Sequence, residues 1–285
     1  MSLVLLRKII ELDSNKWVDI SNPIKEKIKI ASLNIITNDN FHINRNFISK
    51  AISVVEQILN TIIDSNEEWP ELFNLINTLY NMNFPKDISK IYIIIKVLIQ
   101  SVAYTSSKFS SEIDKLNNYF LPIFQYDVTT NNDLNILDLK VLICFFYSNF
   151  LTYNIDQLDF FSLNNVAINN IIRTLNDCLI ILKKGGNTEI EKITSDMIDA
   201  AEFLTIGSLQ FFPENQIQLL NIYYSIIEIK GDDFDLIQIK NKCFQRILDI
   251  FLLKTLPEKD LDNSINLDIL LKNILIIYFF IVIEN

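Results

Sequence analysis

The sequence predicts an all-α protein, and three observations carry that expectation. Its 285 residues include only four glycines and six prolines, where average usage would be about 7% and 5%. β-Sandwiches need turn formers every ~8–12 residues, and doubly wound α/β folds need glycine-rich βα turns. This chain supplies neither. Apolar residues instead recur at helical spacing along most of its length, with short polar stretches between them. Long helices joined by short loops are what remains.

Taken in order, the periodicity predicts helices over 2–12, 23–37, 44–63, 67–80, 87–104, 110–125, 133–151, 164–184, 188–210, 213–229, 233–255 and 260–283. The second is set by Ile24, Ile28, Ala31 and Ile35, with Ser21 and Asn22 as cap. Pro23 sits in its first turn, where an N–H would have no partner anyway. The third follows Phe47, Ile48, Ala51, Val55, Ile58, Leu59 and Ile62. The fourth opens on Trp69–Pro70–Glu71, where Glu67, Glu68 and Glu71 complement the positive helix end. Lys183 and Lys184 followed by Gly185–Gly186 form a helix stop. Phe211–Phe212–Pro213 marks a boundary, and Lys230–Gly231–Asp232–Asp233 a turn.

Helices without strands invite a search for a repeat. Taking Pro23, Glu68, Glu112, Val166 and Pro213 as starts of successive first helices places them roughly 44 to 54 residues apart. HEAT and armadillo units run about 40–47 residues, and the one long interval contains the loop-like stretch 154–159. Each unit is expected to be a helical hairpin with an apolar face it cannot bury alone, so neighbours stack into an α-solenoid. The expected organisation is an array of five to six hairpins over 1–257. An apolar C-terminal helix, incomplete repeat or atypical tail follows over 258–285.

Composition narrows the function. The net charge is −10 and the pI about 4.7, against the basic patch that a nucleic-acid binder needs to displace counterions. An acidic body attracts basic partners. Mean hydropathy is +0.23, which follows from heavy use of Ile in place of Leu. Cys144, Cys178 and Cys243 are scattered in apolar helical contexts, so buried reduced thiols are expected rather than a disulfide framework or zinc site. The N-terminus MSLVLLRKII has no signal-peptide pattern, and an intracellular setting is expected.

One set of residues goes beyond periodicity. Leu5–Leu6–Arg7–Lys8–Ile9–Ile10 is followed by Trp17, by IKEKIKIASLNII over 24–36, and by IIDSNEEWPELFNLI over 62–76. An arginine-bearing helix, a helix opening Ile-Lys, and an acidic loop into Trp-Pro-Glu-Leu occur in that order in N-terminal HEAT repeats of β-karyopherins. The chain resembles the importin-β superfamily, most of all its branch of large importers of ribosomal proteins and histones. Further likeness lies in Ile190–Glu191–Lys192, Ala200–Ala201–Glu202 and Phe212–Pro213–Glu214, so that it covers about residues 3–255. Arg7, Trp17, Trp69, Pro70 and Glu71 are its structural motif residues.

The resemblance implies transport without chemistry, in a right-handed superhelix of antiparallel hairpins that forms part of a longer array. Such receptors bind Ran in its GTP form, basic cargo proteins and Phe-Gly nucleoporins, and work between cytoplasm and nucleus at the nuclear pore. A monomer is expected, with no nucleic acid and no membrane. By resemblance 44–63 and 87–104 face Ran, and 133–151 and 188–210 are further inner helices. Glu189, Glu191, Asp196, Asp199 and Glu202 are the cargo-binding candidates, because Asp196, Asp199 and Glu202 recur at i, i+3, i+6 and share one face. A solvated helix face is the plainer reading of the same acids, and a non-transport scaffold for a vesicle coat or the cytoskeleton is the alternative function.

No active site is expected, and no cofactor or metal. His42 is the single histidine and lies in a polar Asn-rich turn without an imidazole or thiolate partner. Gly185–Gly186 lacks the Gly-Lys-Ser/Thr of a phosphate loop, and Asp232–Asp233–Phe234–Asp235 lacks the central glycine of a calcium loop. The apolar run over 274–283 is well short of the ~20 residues that span a bilayer. It is read as a buried helix of a further repeat or as an atypical tail.

Overall fold

The computed structural model describes residues 17, 19–37, 45–65, 69–153, 161–202, 213–231 and 233–254. Among them the chain is helical, with no strand. In order come α1 (Asn22–Thr37), α2 (Arg45–Ser65), a 3-10 turn (Pro70–Phe73), α3 (Asn74–Tyr80), α4 (Ile88–Gln125), α5 (Val128–Asn131), α6 (Leu134–Tyr153), α7 (Phe161–Lys184), α8 (Thr188–Ala200), α9 (Pro213–Ile227) and α10 (Phe234–Lys254). The expected helices at 2–12 and 260–283, the 154–159 stretch, the run at 274–283, His42 and Arg7 lie outside the described residues.

Local chemistry accounts for the starts and stops. Trp69 is non-helical at φ −133° and ψ 73°, and Pro70 follows as the first residue of the 3-10 turn with Glu71 beside it. Asp127 caps α5 by accepting from the Thr129 and Thr130 amides, and Asn187 caps α8 by accepting from those of Glu189 and Ile190. Gly185 ends α7 at φ +147° and Gly231 precedes α10 at φ +146°, conformations open to a residue without Cβ.

Two boundaries differ from expectation. The helices predicted over 87–104 and 110–125 are one helix of 38 residues, α4. Glu112, taken as the start of a hairpin, therefore lies mid-helix. Thr105 to Ser111 contains neither Gly nor Pro, and serines alone do not stop a helix whose flanks are already formed. The helix predicted over 67–80 is divided into the 3-10 turn and α3, as the proline-led start holds the tighter winding for one turn.

Successive helices α2, α4, α6, α8 and α10 each pack on the next, and α7 packs on α9. Between these rows α1 packs on α2, α7 on α6 and α8, and α9 on α10. At the centre lies α6, held by α4, α7 and α8. Its Leu134–Thr152 stretch is long and apolar enough to cross a membrane by composition, yet 72% of it is buried within the fold. A helix apolar on all sides belongs in a core. Phe146 and Tyr147 of α6 meet Phe120 of α4 edge-on at 6.2 and 6.0 Å between ring centroids, the geometry aromatic quadrupoles favour. The Tyr147 hydroxyl donates to Asn117 Oδ1 at 2.6 Å, and Ser148 Oγ donates to the Ala200 carbonyl. Trp17 and Trp69 are buried. Lys25 Nζ stands 5.6 Å from the Trp17 ring centroid, close enough for a cation–π attraction.

Candidate protein-binding face and edge cleft

Glu189, Glu191, Asp196, Asp199 and Glu202 are the candidate acids on α8 and the residues after it, and Asp196, Asp199 and Glu202 are the three expected to share a face. The helix separates Glu191 from them. Its buried stripe runs through Ile190, Ile193, Thr194, Met197 and Ile198, and Glu191 falls on that buried side. Glu189 is exposed, while Asp196, Asp199 and Glu202 are half-buried.

The last two acids are already engaged by α10. Lys242 Nζ donates to Asp199 Oδ2 at 2.6 Å and to Ser195 Oγ at 2.8 Å. Arg246 pairs with Glu202 Oε1 at 2.8 Å and Asp249 Oδ2 at 3.1 Å. These cations were not foreseen as part of the face. Their i, i+4 spacing puts both on one side of α10, and that much is readable in the sequence.

The same polar strip continues across α6 and α4. The Tyr92 hydroxyl donates to the Asp138 carboxylate, with Lys96 and Lys192 near enough to act on its charge. Lys96 Nζ lies 4.7 Å from the Tyr92 ring centroid. Burial pushes the Asp138 carboxyl above its ordinary range, against the pull of that hydroxyl and the two lysines. Burial also raises Asp196, opposed by Lys192 and assisted by Asp138 and Asp199. The strip is therefore a mosaic of paired charges over four helices.

A second feature lies at the edge where α7 ends, α9 ends and α10 begins. A cleft of about 500 Å³ is lined by Leu182, Gly186, Glu191, Ser225, Ile229 and Leu236, with Lys183, Glu228 and Lys230 also at its wall. Burial, and then the negative charges of Asp233 and Asp235, push the Glu191 carboxyl upward.

Among the described residues no three His, Cys, Asp or Glu side chains come together to hold a metal ion. All three cysteines are free and buried. Burial raises each thiol, Cys144 to about 12, which keeps them protonated and poorly nucleophilic at neutral pH. Of the motif residues, Trp69 plugs the core, Pro70 is exposed and Glu71 is half-buried. No protein-family model, curated protein or solved structure matches the chain.

Proposed function

We propose that the chain is a non-enzymatic HEAT-type α-solenoid, a right-handed stack of antiparallel hairpins, that works as an importin-like nuclear transport receptor. The observation behind the stack is the contact order: α2, α4, α6, α8 and α10 each touch the next, as units that bury their apolar faces only against neighbours would. The transport reading rests on the sequence resemblance through Trp17, Trp69, Pro70 and Glu71. In it, GTP-bound Ran meets α2 and the first half of α4, basic cargo meets the strip on α8, and Phe-Gly nucleoporins meet the opposite side. The receptor is a monomer that shuttles between cytoplasm and nucleus. Immobilised full chain should retain Ran locked with GTP and not Ran locked with GDP. Retention of neither form, or of both equally, overturns the transport reading.

A specific observation favours a second reading, a scaffold without transport activity in a coat or on the cytoskeleton. Lys242 and Arg246 already hold Asp199 and Glu202, so α8 offers basic cargo fewer open carboxylates than its sequence advertises.

A further inference from the structure

Glu191 is 6% exposed, and its carboxylate makes no ion pair or hydrogen bond with another of the described residues. Its oxygens are not among the buried polar atoms that lack a partner, so they keep contact with the solvent in the cleft. The nearby cations are directed elsewhere. Lys184 Nζ donates to the Thr129 carbonyl at 2.6 Å, and Lys240 Nζ to the Gly231 carbonyl at 3.0 Å. Lys183 and Lys230 stand exposed at the rim.

The space beside the carboxylate is kept open. A Cβ on Gly186 would fall 2.9 Å from Glu191 Oε1, so a larger residue there would displace the end of the Glu191 side chain. Leu182, Ile229 and Leu236 supply apolar wall, and Glu228, Asp233 and Asp235 add negative charge around it. The carbonyl ends of α7 and α9 reach this edge together with the N-termini of α8 and α10, so the helix dipoles offset one another there. A divalent metal lacks its ligand set here, since no three carboxylates converge among the described residues.

We propose that this cleft binds a single alkyl cation, a guanidinium or ammonium group on a short hydrocarbon stem, with Glu191 as its counter-ion. The stem lies along the leucine and isoleucine wall and the charged head meets Glu191. Such a group comes from a free amine or from an arginine or lysine side chain of a partner protein. The inference is independent of the transport reading.

Glycine labelling tests it directly. The chain has four glycines, and Gly185, Gly186 and Gly231 all lie at or beside this cleft. Full-length chain labelled with ¹⁵N-glycine is titrated with butylguanidinium, with a capped Ala-Arg-Ala tripeptide, and with neutral butylurea. Saturable shifts at the three glycines with butylguanidinium, the tripeptide or both support the proposal. Butylguanidinium alone identifies a free small cation, and the tripeptide alone a partner side chain. Glu191→Gln should weaken binding at least tenfold. Should that variant not fold, Ser225→Lys, which puts a competing ammonium in the cleft wall and keeps Glu191, should weaken it comparably. No saturable shift with either cation, equal shifts with butylurea, or undiminished binding by the folded variant overturns it.

Discussion

Lys140 Nζ donates to Asp177 Oδ2 at 2.9 Å and to the Tyr126 carbonyl at 2.9 Å, while the lysine itself is 1% exposed. One ammonium thus ties the end of α4 to α6 and α7. Removing one member of a buried pair leaves the other charge uncompensated, a loss of about 3–5 kcal/mol, whereas replacing both with apolar groups is far milder. Asp177→Leu is expected to lower the unfolding free energy in urea by about that amount. The double variant Lys140→Met/Asp177→Leu should recover at least half of the loss. Equal destabilisation of single and double variants would show that the pairing itself is not what matters.

Two glycines separate backbone strain from crowding. Gly185 and Gly231 have nearly the same positive φ, but a Cβ meets nothing within 4 Å at Gly185 and Leu236 Cδ2 at 2.8 Å at Gly231. Gly185→Ala should cost roughly 1 kcal/mol from the backbone alone. Gly231→Ala should cost about 1–3 kcal/mol more, because Leu236 is buried and must shift. Chemical denaturation of the two variants side by side gives the difference, and equal losses would remove the crowding term.

The helices were legible because their causes are local. Pro23 and Gly185 act within a turn of where they stand, so that start and that stop can be read from neighbours. The join of 87–104 to 110–125 was not legible, since Thr105 to Ser111 neither favours nor forbids a helix strongly enough to decide. The little α5 was missed although its Asp127–Val128–Thr129–Thr130 signal is local. The candidate site failed differently. Glu191 and Asp199 look alike in sequence, and they part only when tertiary packing sends one into the cleft and gives the other Lys242 as partner. Asp177 likewise meets Lys140 across 37 positions of chain, a distance no periodicity reports.

Acid titration should act in opposite directions at two aspartates. Hydrogen bonds from Thr130 and Thr129 hold the Asp127 carboxyl well below the usual carboxylate range. A depressed carboxylate contributes stability above its unfolded value of about 3.9, and that contribution is lost as pH falls toward the folded value. The melting-temperature gap between wild type and Asp127→Ala should therefore be full at pH 6–7 and narrow below about pH 4. Asp138 is raised by burial, so its ionisation costs the folded state as pH climbs through its folded value. Asp138→Asn, which keeps an oxygen for the Tyr92 hydroxyl, should gain on wild type as pH rises above about 4. A pH-independent difference for either variant would contradict its assignment.

Asp199 and Glu202 are the remaining question, because their charges are spoken for within the chain. The Lys242–Asp199 pair is more than a third exposed on both sides, and such pairs contribute only ~0–1 kcal/mol to stability. Lys242→Gln should leave the fold nearly as stable as wild type, with Arg246, only 13% exposed and held by two carboxylates, left in place. It should also free Asp199 and make the face more negative by one charge, which is where a basic ligand gains. Fluorescent octalysine is expected to bind the variant a few-fold more tightly than wild type at 50 mM salt, with the gain mostly gone at 500 mM because exposed charges are screened. Equal affinity at low salt would mean that octalysine does not use this strip, and that the α8 acids serve to hold α10 in place.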